Sequence, residues 1–298
     1  MSTQPGSSGP IPPQYAALVD DAAVFPPGNA PLEQAVRDYR EDLAAPFSAL
    51  VGPFVVSDGR LPELIEVLGT STDGPPLPVT VVVGGGAGAL EPAARWADGS
   101  PMLELRSLEI ALRDLDDLPG AARRTVTAAD LGLDIATYVE LPVVGGLVGG
   151  HGWLSALDEV AGADLRLKWR TGGIAADLFP TSHELATAID AALDRELPFK
   201  ATAGLHEGVR HQDPGTGFEH HGFLNVLLAT RAALDGDDVV ATLEQQDAAA
   251  VAARLGELGS ELLVRTRRWF TSFGCCNVLD PLEELVELGL VEPSRVSP

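Results

Sequence analysis

Three things are scarce in this sequence, and each scarcity removes a class of protein. Basic residues number 20 against 43 acidic ones, for a formal net charge of −23. A field of that sign repels nucleic acid and anionic membrane surfaces, so neither is an expected partner. There are two cysteines, Cys275 and Cys276, adjacent in the chain. Neighbouring cysteines rarely reach good disulfide geometry, which points to a reducing, cytoplasmic compartment. Long apolar runs are missing as well: none approaches the roughly 18 residues that a membrane span needs. No Gly-x-Gly-x-x-Gly turn follows the first strand-like run, and Gly84-Gly85-Gly86-Ala87-Gly88 comes only after the second. That weighs against a doubly wound open sheet, the runner-up architecture.

What is present is enough apolar material for a large core: 298 residues, 45% of them hydrophobic. Residues 1–14 are rich in Ser, Gly and Pro, lack both the positive start and the apolar centre of a signal peptide, and read as a flexible tail. Residues 15–298 read as one domain. Tyr15–Phe25 is apolar around the pair Asp20-Asp21 and reads as a loop against the body of the fold, and Pro31–Asp42 has helical spacing. A rhythm then sets in. β-rich runs at Ser48–Ser57, Pro78–Val83, Leu105–Leu112, Ile135–Leu141, Leu165–Trp169 and Pro198–Thr202 alternate with helix-like segments. Their spacing, roughly 30 residues, is that of a βα unit with its return. Gly222–Ala229 is read as a seventh strand or a helix opening, since periodicity does not decide so apolar a run, and Phe270–Cys275 as the eighth strand. Eight such units predict a (β/α)8 (TIM) barrel with an N-terminal helical extension.

In such a barrel alternate strand residues point inward, and chemistry gathers at the carboxyl ends of the strands. Polar residues of one parity inside otherwise apolar strands therefore form a candidate site: Ser107 and Glu109, Tyr138 and Glu140, Arg166, Lys168 and Arg170, Lys200 and Thr202, Asn225 if its run is a strand, and Ser272 or Cys275. Charges on one interior face are costly unless paired or functional. Basic side chains are especially informative in so acidic a chain, and Arg170 with Lys168 points to a small anionic substrate. Two close, buried lysines disfavour each other's protonation, so one becomes a neutral amine able to attack a carbonyl as a Schiff-base nucleophile. Thr171-Gly172-Gly173 offers backbone amides to an anion.

Lys200-Ala201-Thr202-Ala203-Gly204 is similar to the Lys-x-[Ser/Thr]-x-Gly segment on the sixth strand of deoxyribose-phosphate-aldolase-like class I aldolases. The resemblance implies Lys200 as the Schiff-base residue and a second lysine, here Lys168 on the preceding strand, as the partner that lowers its pKa. No Gly-Gly pattern follows the seventh run, which argues against a phosphosugar. The whole chain also resembles uncharacterised actinobacterial proteins with a Lys-x-Arg-Thr-Gly-Gly segment, a likeness that supplies no function.

Four of the six histidines, His206, His211, His220 and His221, fall within one stretch around the turn Asp213–Gly217. They read as an acid/base or substrate-contact group beside the lysines. The leading expectation is thus a lyase of the aldolase type without a cofactor: Lys200 as nucleophile, Lys168 as its partner, Glu140 or His206 as proton shuttle and Arg170 as anion clamp. Glu109, Tyr138, Thr202, His221, Asn225 and Ser272 complete the substrate contacts. One alternative is a divalent-metal hydrolase, isomerase or lyase in which histidines join Glu109 or Glu140. Another is a binding barrel whose charges form a structural ion-pair core. A homodimer is left open.

Overall fold

The β-branched runs of the sequence become neighbours in a closed parallel sheet. In a computed structural model, which describes residues 11–69 and 74–293, eight strands close in the order β1-β10-β7-β6-β5-β4-β3-β2. They are β1 (Val19–Asp21), β2 (Val51–Ser57), β3 (Leu77–Val83), β4 (Leu103–Ala111), β5 (Ala136–Leu141), β6 (Arg166–Arg170), β7 (Phe199–Thr202) and β10 (Phe270–Cys275). A two-stranded ribbon, β8 (His211–Gln212) with β9 (Glu219–His220), lies between β7 and β10 in the chain. Helices α1 (Leu32–Ala44), α2 (Leu61–Gly69), α3 (Leu90–Asp98), α4 (Leu118–Ala129), α5 (His151–Ala161) and α6 (Ser182–Leu193) follow the first six barrel strands in turn. Helices α7 (Phe223–Asp235), α8 (Val239–Glu244) and α9 (Ala248–Thr266) fill the last crossover, and α10 (Leu279–Glu287) follows β10. This is a (β/α)8 barrel. No helix among the described residues is long and apolar enough to cross a membrane.

Two elements differ from expectation. The first barrel strand is Val19–Asp21, which pairs with both β10 and β2 and so closes the ring. Three residues with two carboxylates carry no strand signal of their own, and the neighbours supply it. Consequently α1 is the barrel's own first helix, and the expected N-terminal extension reduces to a short turn at Pro13–Tyr15. Ile11 and Tyr15 are buried, and Arg267 donates to the carbonyls of Gln14 (2.8 Å) and Phe270 (2.9 Å), pinning the chain before β1 to the start of β10. Of the expected tail, then, residues 11–14 pack against the body, while 1–10 lie outside the described residues.

The second difference is at Gly222–Ala229, which enters helix α7 and not a strand. Residues 223–230 are buried throughout, so the helix is apolar on every side and shows no amphipathic period. Asn225 therefore does not face the barrel interior. Its side chain accepts from the Arg210 amide (2.8 Å) and donates to the Thr242 and Gln245 carbonyls (3.0 and 2.9 Å), tying the last crossover together.

Candidate active site

Strand register determines which inward residues meet. Lys168 is the Cα partner of Lys200 and of Glu140, which puts all three on one level of the barrel. Glu140 pairs with Ala111 on β4, so Glu109 is the next inward residue below that level. Asp20 reaches the same layer from β1. The side chains form a chain of alternating charge. Lys200 Nζ contacts Asp20 Oδ2 and lies 2.5 Å from Glu109 Oε1. Lys168 Nζ lies 2.7 Å from Glu109 Oε2 and 2.9 Å from Glu140 Oε2, and Arg170 Nε is 3.2 Å from Glu140 Oε1. Ser272 donates to Asp20 Oδ2 at 3.0 Å.

Apart from the half-exposed Arg170 these charges are buried or nearly so, so water screens them little and each partner counts. Burial pushes the Glu109 carboxyl up, but Lys168 and Lys200 outweigh it and hold the group at about 2. Burial likewise pushes Glu140 up, and Lys168 with Arg170 brings it below its ordinary value. Burial would depress both lysines. Glu109 and Glu140 nevertheless raise Lys168, and Asp20 and Glu109 raise Lys200. The expected mutual depression of the lysines is thus reversed, because a shared carboxylate stands between the two ammonium groups. Both lysines rest as cations. Asp20 is the exception among the acids: burial raises its carboxyl, only partly offset by Lys200.

The array forms the floor of a cavity of about 490 Å³ at the carboxyl ends of the strands, the end where (β/α)8 enzymes keep their chemistry. Glu109, Glu140, Lys168, Arg170, Lys200, Thr202 and His206 all line it, so seven of the expected site residues converge. Phe25, Val83 and Phe179 give it apolar walls. Two glycine turns shape the rim. A Cβ on Gly172 would meet Gly204 Cα at 2.9 Å, so the loops after β6 and β7 touch backbone to backbone. Ala203 and Gly204 both have positive φ, and the Thr171 hydroxyl holds the strained turn by donating to the Ala203 carbonyl at 2.6 Å. A larger groove, about 580 Å³, lies on the outer wall between α1 and α10, away from the strand ends.

Other expected residues fall elsewhere. Tyr138 and Ser272 line a cavity on the far side of the lysine layer, where the Tyr138 ring lies 5.1 Å beneath Lys200 Nζ and its hydroxyl accepts from Arg166 at 3.1 Å. His221 is fully buried. Its Nε2–H donates to the Pro180 carbonyl (2.9 Å) and its Nδ1 accepts from Arg210 (3.1 Å), so it is a structural pin and not a substrate contact. Burial holds it neutral, at about 4. Nor do the histidines join Glu109 or Glu140, whose oxygens face the lysines. His211 and His220 sit opposite each other across the β8–β9 ribbon, with ring centroids 5.1 Å apart and ring planes tilted by 31°. His206 instead meets Asp280 (3.2 Å) and Cys275 (3.5 Å), and the neighbouring sulfurs raise its imidazole to about 11. Asp20 carries no signal in the sequence beyond an aspartate pair inside an apolar run. No protein-family model and no curated protein matches the chain.

Proposed function

We propose that the protein is an enzyme of the lyase type that acts on a small anionic carbonyl or carboxylate compound, with a barrel lysine as its reactive amine. The observation that carries this reading is the pair of ammonium groups sharing one buried carboxylate on the floor of a pocket whose rim holds Arg170. Arg170 has a half-exposed side chain and spends only its Nε on Glu140, which leaves the guanidinium edge for the substrate anion. The fold favours an enzyme on general grounds. Lys200–Gly204 is similar in sequence to a class I aldolase segment, although Lys200 stands on the seventh barrel strand and that segment on the sixth.

Because the lysine rests as an ammonium, it must shed a proton before attack. For Lys200 the acceptor is Asp20, whose carboxyl burial has already raised. The freed electron pair adds to the substrate carbonyl carbon; the carbonyl oxygen takes one proton from the adding nitrogen and one back from Asp20, and leaves as water. The resulting iminium takes up the electron pair of the breaking C–C bond and becomes an enamine. Glu140, resting as a carboxylate, takes the hydroxyl proton of the departing carbon, which leaves as a carbonyl. It returns that proton to the enamine carbon, after which water hydrolyses the iminium and frees the lysine.

The raised lysines favour a second reading, in which no covalent bond forms. There the two cations stabilise an enolate while Glu140 moves the proton. Borohydride separates the two. Incubated with a panel of small 2-oxo acids and aldehydic acids and then reduced, the protein is expected to carry a substrate-mass adduct on Lys200 or Lys168. If peptide mapping finds neither lysine modified by any member, the amine reading fails and the acid–base reading replaces it.

A further inference from the structure

The loop after β7 and the turn into α10 hold a cluster of ligand atoms that the lysine array does not use. His206, Cys275 and Asp280 come from three separate places: the residue run beyond β7, the last residue of β10 and the first turn of α10. Each nonetheless offers a ligand atom within 4.8 Å of the others. His206 Nδ1 lies 3.2 Å from Asp280 Oδ2 and 3.5 Å from Cys275 Sγ. A tetrahedral ion with bonds of about 2.0–2.3 Å keeps its ligands roughly 3.3–3.7 Å apart. These two edges lie close to that figure, and the third, Cys275 to Asp280, is within 4.8 Å, before any ion has drawn the groups together.

We propose that His206, Cys275 and Asp280 form a binding site for a divalent transition metal of the zinc class, at the rim of the pocket. The donor set is one thiol, one imidazole and one carboxylate, a combination that suits zinc or cobalt and not the hard, all-oxygen cations. With Cys275 ionised and His206 neutral the three ligands carry two negative charges, which a divalent ion cancels. A net charge of −23 draws such ions to the protein.

The surroundings also fit. Asn277 donates its side-chain amide to Asp280 Oδ1, which orients the carboxylate and leaves Oδ2 for the metal. The far ring nitrogen, His206 Nε2, faces Cys276 Sγ at 4.0 Å, so Nδ1 is the atom turned to the cluster. Without metal the buried Cys275 thiol donates to the Asn277 carbonyl at 3.1 Å. Binding replaces that S–H by a sulfur–metal bond and displaces the ring proton that the raised His206 holds, so two protons go to solvent. Three protein ligands leave a fourth position for water or for an oxygen of a ligand in the adjoining pocket, which His206 and Cys276 line. The site stands on its own geometry and does not depend on the amine chemistry proposed above.

Cobalt(II) titration of the chelator-stripped full chain tests this. The wild type is expected to bind about one equivalent and to show thiolate-to-cobalt charge-transfer absorption. Cys275→Ser should abolish that absorption, Asp280→Asn should weaken binding at least about tenfold, and Cys276→Ser should keep both absorption and affinity. Circular dichroism checks that each variant is folded, and the half-exposed Asp280 gives a second probe if Cys275→Ser is not. Absence of the band in the wild type overturns the proposal. So does a band that survives Cys275→Ser or vanishes in Cys276→Ser, and so does affinity unchanged in Asp280→Asn.

Discussion

Glu109→Gln is expected to lower folding stability by about 3–5 kcal/mol at neutral pH, the usual cost of breaking a buried ion pair by removing one partner. Glu109 is nearly fully buried, and its two oxygens face different lysines, Lys168 at 2.7 Å and Lys200 at 2.5 Å. A glutamine keeps one acceptor oxygen and turns an amide N–H₂ towards the other ammonium. Both lysines then lose the carboxylate that offsets their burial, and the repulsion between them is no longer compensated. The double variant Glu109→Gln/Lys168→Met should recover part of the loss, because the stranded charge goes with it. Urea unfolding of the wild type, both single variants and the double variant measures this. A loss below about 1 kcal/mol for Glu109→Gln would show that the shared carboxylate does not hold the array together.

Asp21→Asn should act in the opposite direction, and only above mildly acidic pH. Asp21 is buried on the outer side of β1, where burial, with Asp42 and Asp38 of α1 adding to it, raises its carboxyl to about 7. The unfolded chain releases that proton near 3.9. Below about pH 4 both states hold the proton and nothing is lost. Between about 4 and 7 the unfolded state gives it up first, so stability falls as pH rises, and above 7 the loss is complete. A raised carboxyl therefore costs roughly 3–5 kcal/mol at pH 8. Asparagine keeps the oxygen that accepts from the Ala23 amide at 2.8 Å and removes the charge. The difference between variant and wild type, from urea unfolding at pH 4.5 and at pH 8, should favour the variant much more at the higher pH. Equal differences at the two pH values would contradict the assignment.

The lysine layer was readable from the sequence because parity within a strand is a local property. Glu109, Glu140, Lys168, Arg170 and Lys200 alternate with apolar neighbours, and all five point inward as that alternation requires. What parity does not encode is register. Only the pairing of Lys168 with Lys200, and of Ala111 with Glu140, places Glu109 between the ammonium groups and reverses the direction in which the lysines shift. The first strand escaped because Val19–Asp21 is too short and too acidic to announce itself. With it went Asp20 and the count of the later strands: Lys168 lies on the sixth barrel strand and Lys200 on the seventh. Asn225 faces inward only if its apolar run is a strand, and His221 stands out only by its place in the histidine cluster; in the fold each satisfies backbone groups where the chain crosses itself. The cluster of His206, Cys275 and Asp280 joins residues up to 74 positions apart, beyond the reach of any spacing rule.

The central claim is that the lysine–carboxylate array activates a small carbonyl acid, and exchange of substrate protons tests it without presuming the later steps. In deuterated buffer, an enzyme that forms an enamine or an enolate exchanges the protons next to the carbonyl, which proton NMR follows directly. The wild type is expected to exchange those of at least one small 2-oxo or aldehydic acid well above the buffer rate. Glu140→Gln, which leaves Lys168 paired to Glu109, should slow that exchange by about 100-fold or more. Exchange no faster than buffer across the panel, or a rate unaffected by Glu140→Gln, would contradict the account.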